Sequence, residues 1–475
     1  MINDFFNIFL PQGCLILFIF IQLALGMFLS PRFYKHSRLI SAIGISLSIV
    51  LLSTVQTEPQ YFGFRNAIMS DEYTLLFHFI ILLCGFFAAL LTKNLISTSK
   101  QNAYTFHALL LTAILGGLNI ISANDFLTLF ISIELMAFPT YFLIAFSKGY
   151  LSKEASFKYL ITSAVSTGVF LFGVSYLYGI TSSFNFSEIY EALLDVDPSL
   201  LYSFAGVMIV VGIISKLSVF PFANWVIDVY KGSETSVLAF LSTIPKLAVF
   251  GILCRLLVFP LSYSFELSFV MAIIALVTAL WANTYAIREK NVKAILACST
   301  SANASYVLLV ASLVSVYNLS TVIFYLICYV FMNLGAFAFL NITEYCKIGF
   351  NTEDFNGLFN KNHGLSLAYT ICLIGLAGFP ITSGFVAKIY LFSAIANSGL
   401  VFIPFLLVLL LLTVIALFYY LKLIMPMFGK TEGNMVLNAL YSQKFVLVIT
   451  TIVTVLIGIY PEKLIELCRF IAYNI

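Results

Sequence analysis

Apolar runs of helix length follow one another along almost the whole 475-residue chain, separated by short polar links. A membrane-spanning helix needs about 20 mainly apolar residues. Fourteen runs fit, centred near Phe18, Ser46, Leu82, Ala113, Ile133, Gly168, Val211, Val249, Ala275, Ala304, Cys328, Leu376, Leu411 and Val453. The longest polar pieces, residues 57–72, 182–200, 341–362 and 429–443, leave no room for a soluble domain. Two runs carry both a breaker and a charge. In VGIISKLSVFPFANWVIDVY, residues 211–230, Pro221 follows Lys216. In LAGFPITSGFVAKIYLF, residues 376–392, Pro380 and Gly384 interrupt the run and Lys388 follows. Proline removes a backbone donor and clashes with the preceding turn, so both helices should break. The pattern predicts an all-α polytopic membrane protein of about fourteen transmembrane helices, with the seventh and twelfth discontinuous. The two broken runs lie five helices apart. An odd spacing turns the second copy over in the membrane, so the pattern predicts an inverted repeat, a plan used by transporters.

Composition agrees with this picture. Hydrophobic residues make up 61% of the chain and charged residues 9%, against roughly 25% charge in soluble domains. The eight cysteines are scattered, with no CxxC pair, which argues against a disulfide framework, an iron–sulfur centre or a zinc site. The first run lacks an A-x-A-like cleavage site and reads as a retained helix. Lys and Arg set the orientation. With the N-terminus outside, seventeen fall in loops on the cytoplasmic side (Arg32, Lys35, Arg38, Lys93, Lys100, Lys148, Lys153, Lys158, Lys231, Arg288, Lys290, Lys293, Lys347, Lys361, Lys422, Lys430 and Lys444). Four fall opposite: Arg65, Arg255, Lys463 and Arg469.

The candidate chemistry lies in charges inside the runs: Glu134 in the fifth, Lys216 in the seventh, Lys246 in the eighth and Lys388 in the twelfth. A lone charge at mid-bilayer costs about 3 kcal/mol, so these groups should face one another or water. Lysine suits a proton path because burial disfavours its charged form while a nearby carboxylate restores it. Glu134 and Lys216 are expected to form such a modulating pair, with Lys246 and Lys388 continuing the relay. The alternative is that they are structural ion-pair partners, or lysines that snorkel to an interface. Asn303, Tyr306, Asp228 and Lys158 are accessory candidates; packing for the first two, and a helix cap or loop charge for Asp228, are the plainer readings. Asp125 and Glu234 also read as caps or loop charges, and His78 and His107 as packed, hydrogen-bonded side chains. No dinucleotide fingerprint, Walker A loop or nucleophile elbow is present, so no cofactor and no metal is expected. No segment is basic and aromatic enough to predict a nucleic-acid partner.

Longer stretches carry a resemblance: SANDFLTLFISIEL, KEASFKYL, KLSVFPFANWVIDVYKG, AFLSTIPKLAVF, REKNVKAILACSTS, FYLICYVFMNLGAF, EDFNGL and GLAGFPITSGFVAKIYLF. From about Ser122 to Tyr420 the chain resembles the antiporter-like subunits of proton-translocating NADH:quinone oxidoreductase (complex I), and most of all subunit N, called subunit 2 in mitochondria. The resemblance implies that Glu134, Lys216, Lys246 and Lys388 are the proton-relay groups. It implies two inverted five-helix bundles, helices four to eight (residues 104–260) and nine to thirteen (261–428), flanked by residues 1–103 and 429–475. It further implies no redox cofactor, driving energy from quinone reduction elsewhere, neighbouring antiporter-like subunits and the lipid bilayer as partners, and a place in the bacterial cytoplasmic membrane or, alternatively, the mitochondrial inner membrane. A related alternative is an Mrp-type cation/proton antiporter subunit. The chain departs from the family pattern at Ala223 and Asn303, each where a histidine is common, at Ser305, where glycine is often found, and at Ile227 and Glu234, each where proline is usual.

Overall fold

The computed structural model describes residues 8–28, 35–57, 60–92, 102–147, 149–194, 200–261, 265–429 and 437–474. Arg32, Lys93, Lys100, Lys148 and Lys430, used above for orientation, lie outside them. In a bilayer every backbone donor and acceptor must be satisfied internally, so apolar runs of this length become helices. Among the described residues thirteen helical segments are long and apolar enough to cross a membrane. They coincide with all the predicted runs except the twelfth, which is split into two half-helices.

The helices are α1 (Leu10–Phe28), α2 (Lys35–Leu51), α3 (Glu72–Leu91), α4 (Ala103–Ser122), α5 (Phe126–Ala145), α6 (Tyr150–Thr181), α7a (Leu200–Ile214), α7b (Trp225–Gly232), α8a (Thr235–Leu241), α8b (Ile244–Val258), α9 (Phe265–Arg288), α10 (Val292–Ala311), α11 (Val316–Tyr345), α12a (His363–Ala377), α12b (Ser383–Asn397), α13 (Ile403–Ile424) and α14 (Tyr441–Ile459). Pro221 sits in the break between α7a and α7b, and Pro380 in that between α12a and α12b. The eighth run, expected to be continuous, also parts, at Ser242–Thr243. Pro245 explains this: it has no N–H to continue the ladder but is at home in the first turn of a new helix. Two short amphipathic helices, Phe186–Leu194 and Glu462–Tyr473, lie in stretches that lack an apolar run.

The chain forms two compact units. The first comprises residues 1–217, 244–270 and 473–475; the second comprises 218–243 and 271–472. In the first, α4 packs against α1, α5 and α8b, and α6 against α7a. A hairpin, β1 (Tyr61–Gly63) with β2 (Ile68–Ser70), covers the end of this unit. In the second, α11 is the central helix, packed by α8a, α10, α12a, α12b and α14.

The same device closes one end of each unit. In the first, Phe126 N donates to Phe184 O and Phe186 N to Asn124 O, both at 3.1 Å. In the second, Val292 N donates to Phe350 O at 2.7 Å and Thr352 N to Lys290 O at 3.0 Å. Each residue of the second bridge lies 166 positions after its counterpart, as Asn291 does after Asp125 and Asn351 after Asn185. Asp125 and Asn291 also cap the helices that follow, accepting from Thr128 N and Ala294 N. Two unrelated-looking segments thus fold into the same two-bond clasp at a constant offset, the spacing an internal repeat would give.

Gly384, expected at the break, is the second residue of α12b. It is needed there for contact: a Cβ at this position would run into the carbonyl of Gly375 in α12a. The break itself is made by Gly378 at φ +88° and Pro380. Gly384→Ala therefore forces the half-helices apart, at a cost of about 1–3 kcal/mol. The expected result is a lower midpoint of thermal unfolding in detergent; an unchanged midpoint would show that the contact yields freely.

Candidate functional site

The three lysines placed inside apolar runs are buried. Lys216, Lys246 and Lys388 are 4%, 2% and 6% exposed. Lys216 lies in the 3₁₀ turn Ser215–Leu217 that ends α7a, just before Ser218 takes φ +63°. A helix end leaves its last carbonyls unsatisfied and carries partial negative charge, so a cation is stabilised there. Lys216 Nζ donates to Ser163 Oγ on α6 and lies 5.9 Å from the Tyr159 ring centroid. The same Ser163 oxygen accepts from Tyr141 OH at 2.5 Å.

Glu134 does not touch Lys216: among the described residues no ion pair joins them, although the carboxylate lies within electrostatic reach of the ammonium. Glu134 instead accepts from Thr167 Oγ1 at 2.8 Å. Ser163 and Thr167 are one helical turn apart, so they share a face of α6. That face joins the two charges. A cavity of ≈ 10 Å³ opens beside Lys216 and Thr167, its other walls mostly apolar, among them Phe130, Ile133 and Phe170, with room for about one water. Glu134 and Lys216, expected as a pair, are thus not in direct contact; each is bonded to a hydroxyl on the same face of α6. Ser163, Thr167 and Tyr141 were not singled out from sequence, because hydroxyls on apolar helices usually bond to their own backbone, as Thr140 does to Met136 O.

Lys388 is held differently. α12a ends in a turn in which Gly378 N donates to Ile374 O and Gly375 O. The next carbonyls, Leu376 and Ala377, accept from Lys388 Nζ at 3.0 and 2.8 Å. Lys388 therefore reaches back from α12b to cap the half-helix before the break. In both units an ammonium stands at the negative end of a broken half-helix.

The accessory candidates separate. Tyr325 OH donates to Asn303 Oδ1 at 2.7 Å, and Asn303 Nδ2 donates to Ser299 O at 2.9 Å and to Tyr420 OH at 3.4 Å. Tyr306 presents its ring to Lys388 Nζ at 5.9 Å. Asp228 lies in the first turn of α7b, where a carboxylate suits the helix dipole. Lys158 pairs with Glu154 at 2.7 Å on an exposed face of α6, outside the buried cluster, where such pairs contribute little. His78 and His107 are buried and hydrogen-bonded, His78 to Leu118 O and Ser122 Oγ, His107 to Thr92 Oγ1.

Three charges counted with the loops or helix ends prove to be buried or clustered. Arg255 is 1% exposed, and its Nη2 meets Asp71 Oδ2 at 2.6 Å. Lys293 pairs with Glu344 at 3.1 Å. Glu234 makes no cap hydrogen bond and joins that second pair. Each lies within a turn or so of a helix end, where sequence alone does not separate a loop charge from one folded inward.

The transmembrane family described as NADH:quinone oxidoreductase/Mrp antiporter matches residues 123–415. This segment holds Glu134, Lys216, Lys246 and Lys388. The chain belongs to that family. Subunit N of the NADH-quinone oxidoreductase of Anoxybacillus flavithermus is 32% identical over 467 residues, covering 94% of this chain and 93% of that protein. Among solved structures, a chain of respiratory complex I from Thermus thermophilus aligns with TM-score 0.82 and 25% identity, over 96% of this chain and 98% of that one. A chain of the Mrp complex from Dietzia aligns with TM-score 0.83 at 19% identity, over 98% and 97%, a likeness of fold alone. Family membership thus agrees with the resemblance read from the motifs.

Proposed function

We propose that this chain is a proton-translocating membrane-arm subunit of a bacterial respiratory NADH:quinone oxidoreductase, seated among other antiporter-like subunits in the cytoplasmic membrane. The observation that carries the reading is the Glu134–Thr167/Ser163–Lys216 arrangement: a carboxylate and a buried ammonium each bonded to a hydroxyl on one face of α6, with a water-sized cavity beside Thr167 and Lys216. Such a pair moves a proton when the field of Glu134 on Lys216 changes, because the lysine then gains or loses its reason to stay charged. Lys246, buried in the first turn of α8b, is the next carrier in the first unit, and Lys388 is the carrier of the second. The two five-helix bundles, residues 104–260 and 261–428, are the repeated halves, each holding a helix broken at a proline beside a buried lysine; the 166-residue offset of the two clasps supports this division. In this reading the subunit does no redox chemistry of its own, and quinone reduction elsewhere supplies the energy. The near-complete coverage of a subunit N relative favours this over the Mrp-type antiporter reading.

Purification of a tagged chain from its native membrane tests the assignment. Co-purifying NADH:quinone oxidoreductase activity, with proton uptake driven by NADH in vesicles, is expected. Sodium/proton exchange without that activity would move the chain to the antiporter reading.

A further inference from the structure

The second unit holds a charge cluster that the relay does not use. It lies where α8a and α10 begin and α11 ends, the end that also bears Lys231 and Lys290. Lys293 Nζ, on α10, donates to Glu344 Oε1 at 3.1 Å and to Ser233 O at 2.9 Å, and packs 4.0 Å from the Phe350 ring centroid. The other oxygen of Glu344 accepts from Thr235 N at 3.1 Å and from the Thr235 hydroxyl. Glu234, next in the chain to Thr235, brings a second carboxyl within hydrogen-bond reach of Glu344. Thr235 Oγ1 also accepts from Asn341 Nδ2 at 2.9 Å, and Gln443 Nε2 donates to Asn341 Oδ1 at 2.7 Å. Among the described residues the Ser233 hydroxyl, in a residue 2% exposed, has no hydrogen-bond partner.

One lysine cannot neutralise two adjoining carboxylates. Two such groups in a partly buried site hold one proton between them, because both ionised would repel at short range. Charges facing Glu234 from the packed helices are Glu344 on α11 and Lys293 on α10. Lys231, on Glu234's own side of the chain, is already paired with Glu289 at 2.8 Å. Glu344 is further pinned by three donors, so Glu234 is the member left to carry the proton.

We propose that Glu234 and Glu344, beside Lys293, form a proton-loading group of the second unit, taking a proton from water at this end of the bundle and giving it up during turnover. The proton bonds to one carboxyl oxygen and is shared with the other carboxylate; no other bond changes. Ser233 gives an arriving water its first buried polar contact. Burial, and after it the charge of Glu344, push the Glu234 carboxyl up to about 7, with Lys293 opposing. The sign follows: below about pH 7 the pair keeps its proton, and above it the pair empties.

This inference rests on the proposed pumping function, and the test separates the two. The whole complex is reconstituted in liposomes, and protons moved per NADH oxidised are measured from pH 6 to 8 for wild type, Glu234→Gln, Glu234→Asp and Lys216→Ala. Lys216→Ala uncouples at every pH if the pumping reading holds. Glu234→Gln is then expected to lower coupling severalfold and to flatten its pH dependence near 7. Glu234→Asp, which withdraws the carboxyl by one methylene, keeps coupling but shifts the midpoint. A Glu234→Gln complex with the wild-type profile, beside an uncoupled Lys216→Ala, overturns the loading group and leaves the pumping reading standing. An unaffected Lys216→Ala overturns both. Should Glu234→Gln fail to assemble, an unshifted midpoint in Glu234→Asp overturns the proposal by itself.

Discussion

Lys216→Ala is expected to reduce proton translocation by the reconstituted complex by about tenfold or more, in line with the loss of a positioned proton carrier, while the subunit still inserts and assembles. The lysine stands at the end of α7a with its ammonium on Ser163, and it lines a water-sized cavity together with Thr167, the residue bonded to Glu134. Alanine removes the one group there that binds and releases a proton. Lys216→Arg gives the sharper contrast. Guanidinium keeps the positive charge but does not deprotonate in a protein, so a purely structural cation would be rescued and a proton carrier would not. Ser163→Ala should cause a smaller loss, since it removes an acceptor from Lys216 and Tyr141 but leaves the titrating group. The check is the ratio of protons moved to NADH oxidised. A wild-type ratio in Lys216→Ala, or full recovery in Lys216→Arg, would exclude Lys216 from the path.

The second large effect concerns stability. Arg255→Ala strands Asp71 as a buried carboxylate, 3% exposed, without its counter-charge. Breaking a buried pair from one side costs about 3–5 kcal/mol. The site is over-determined. Asp71 Oδ1 caps α3 by accepting from Thr74 N at 2.8 Å and from the Thr74 hydroxyl at 2.7 Å. Arg255 Nη1 donates to Ile121 O at 3.0 Å, and the guanidinium lies 5.1 Å from the Tyr73 ring centroid. Three elements, α3, α4 and α8b, are thereby tied at one point. Lysine offers a single point charge in place of the fork, so Arg255→Lys should recover little. Thermal unfolding of the purified subunit is expected to show a marked drop for Arg255→Ala and a partial return when Asp71→Asn removes the stranded charge. Wild-type unfolding of Arg255→Ala would mean that the pair ties nothing together.

Much of this architecture is local physics and can be read along the chain. Apolar length places every span, because a bilayer admits no unsatisfied backbone. The breaks at Pro221 and Pro380 follow from a missing N–H, and the burial of Lys216, Lys246 and Lys388 from their place inside apolar runs. Pro245 carries the same local signal but sits where a new helix can start, so the parting of α8a from α8b passes for continuity. Asp125 was legible as a cap because its partner, Thr128, is three residues away.

Long-range pairing is where the linear reading stops. Arg255 finds Asp71 across 184 positions and Lys293 finds Glu344 across 51; nothing near either residue marks it as buried, and both resemble loop cations. Gly384 looks like a breaker until Gly375 is seen against it. Glu134 and Lys216 were recognisable as two charges at membrane depth, but not as two charges held apart by Ser163 and Thr167. The order of residues alone therefore determined where the membrane spans lie, where two of them break and that Lys216, Lys246 and Lys388 must be buried, because those follow from hydrophobic length and backbone donors. Which groups those charges meet was decided only by the packing of the helices, since a side chain's partner depends on which helix faces bring distant residues together.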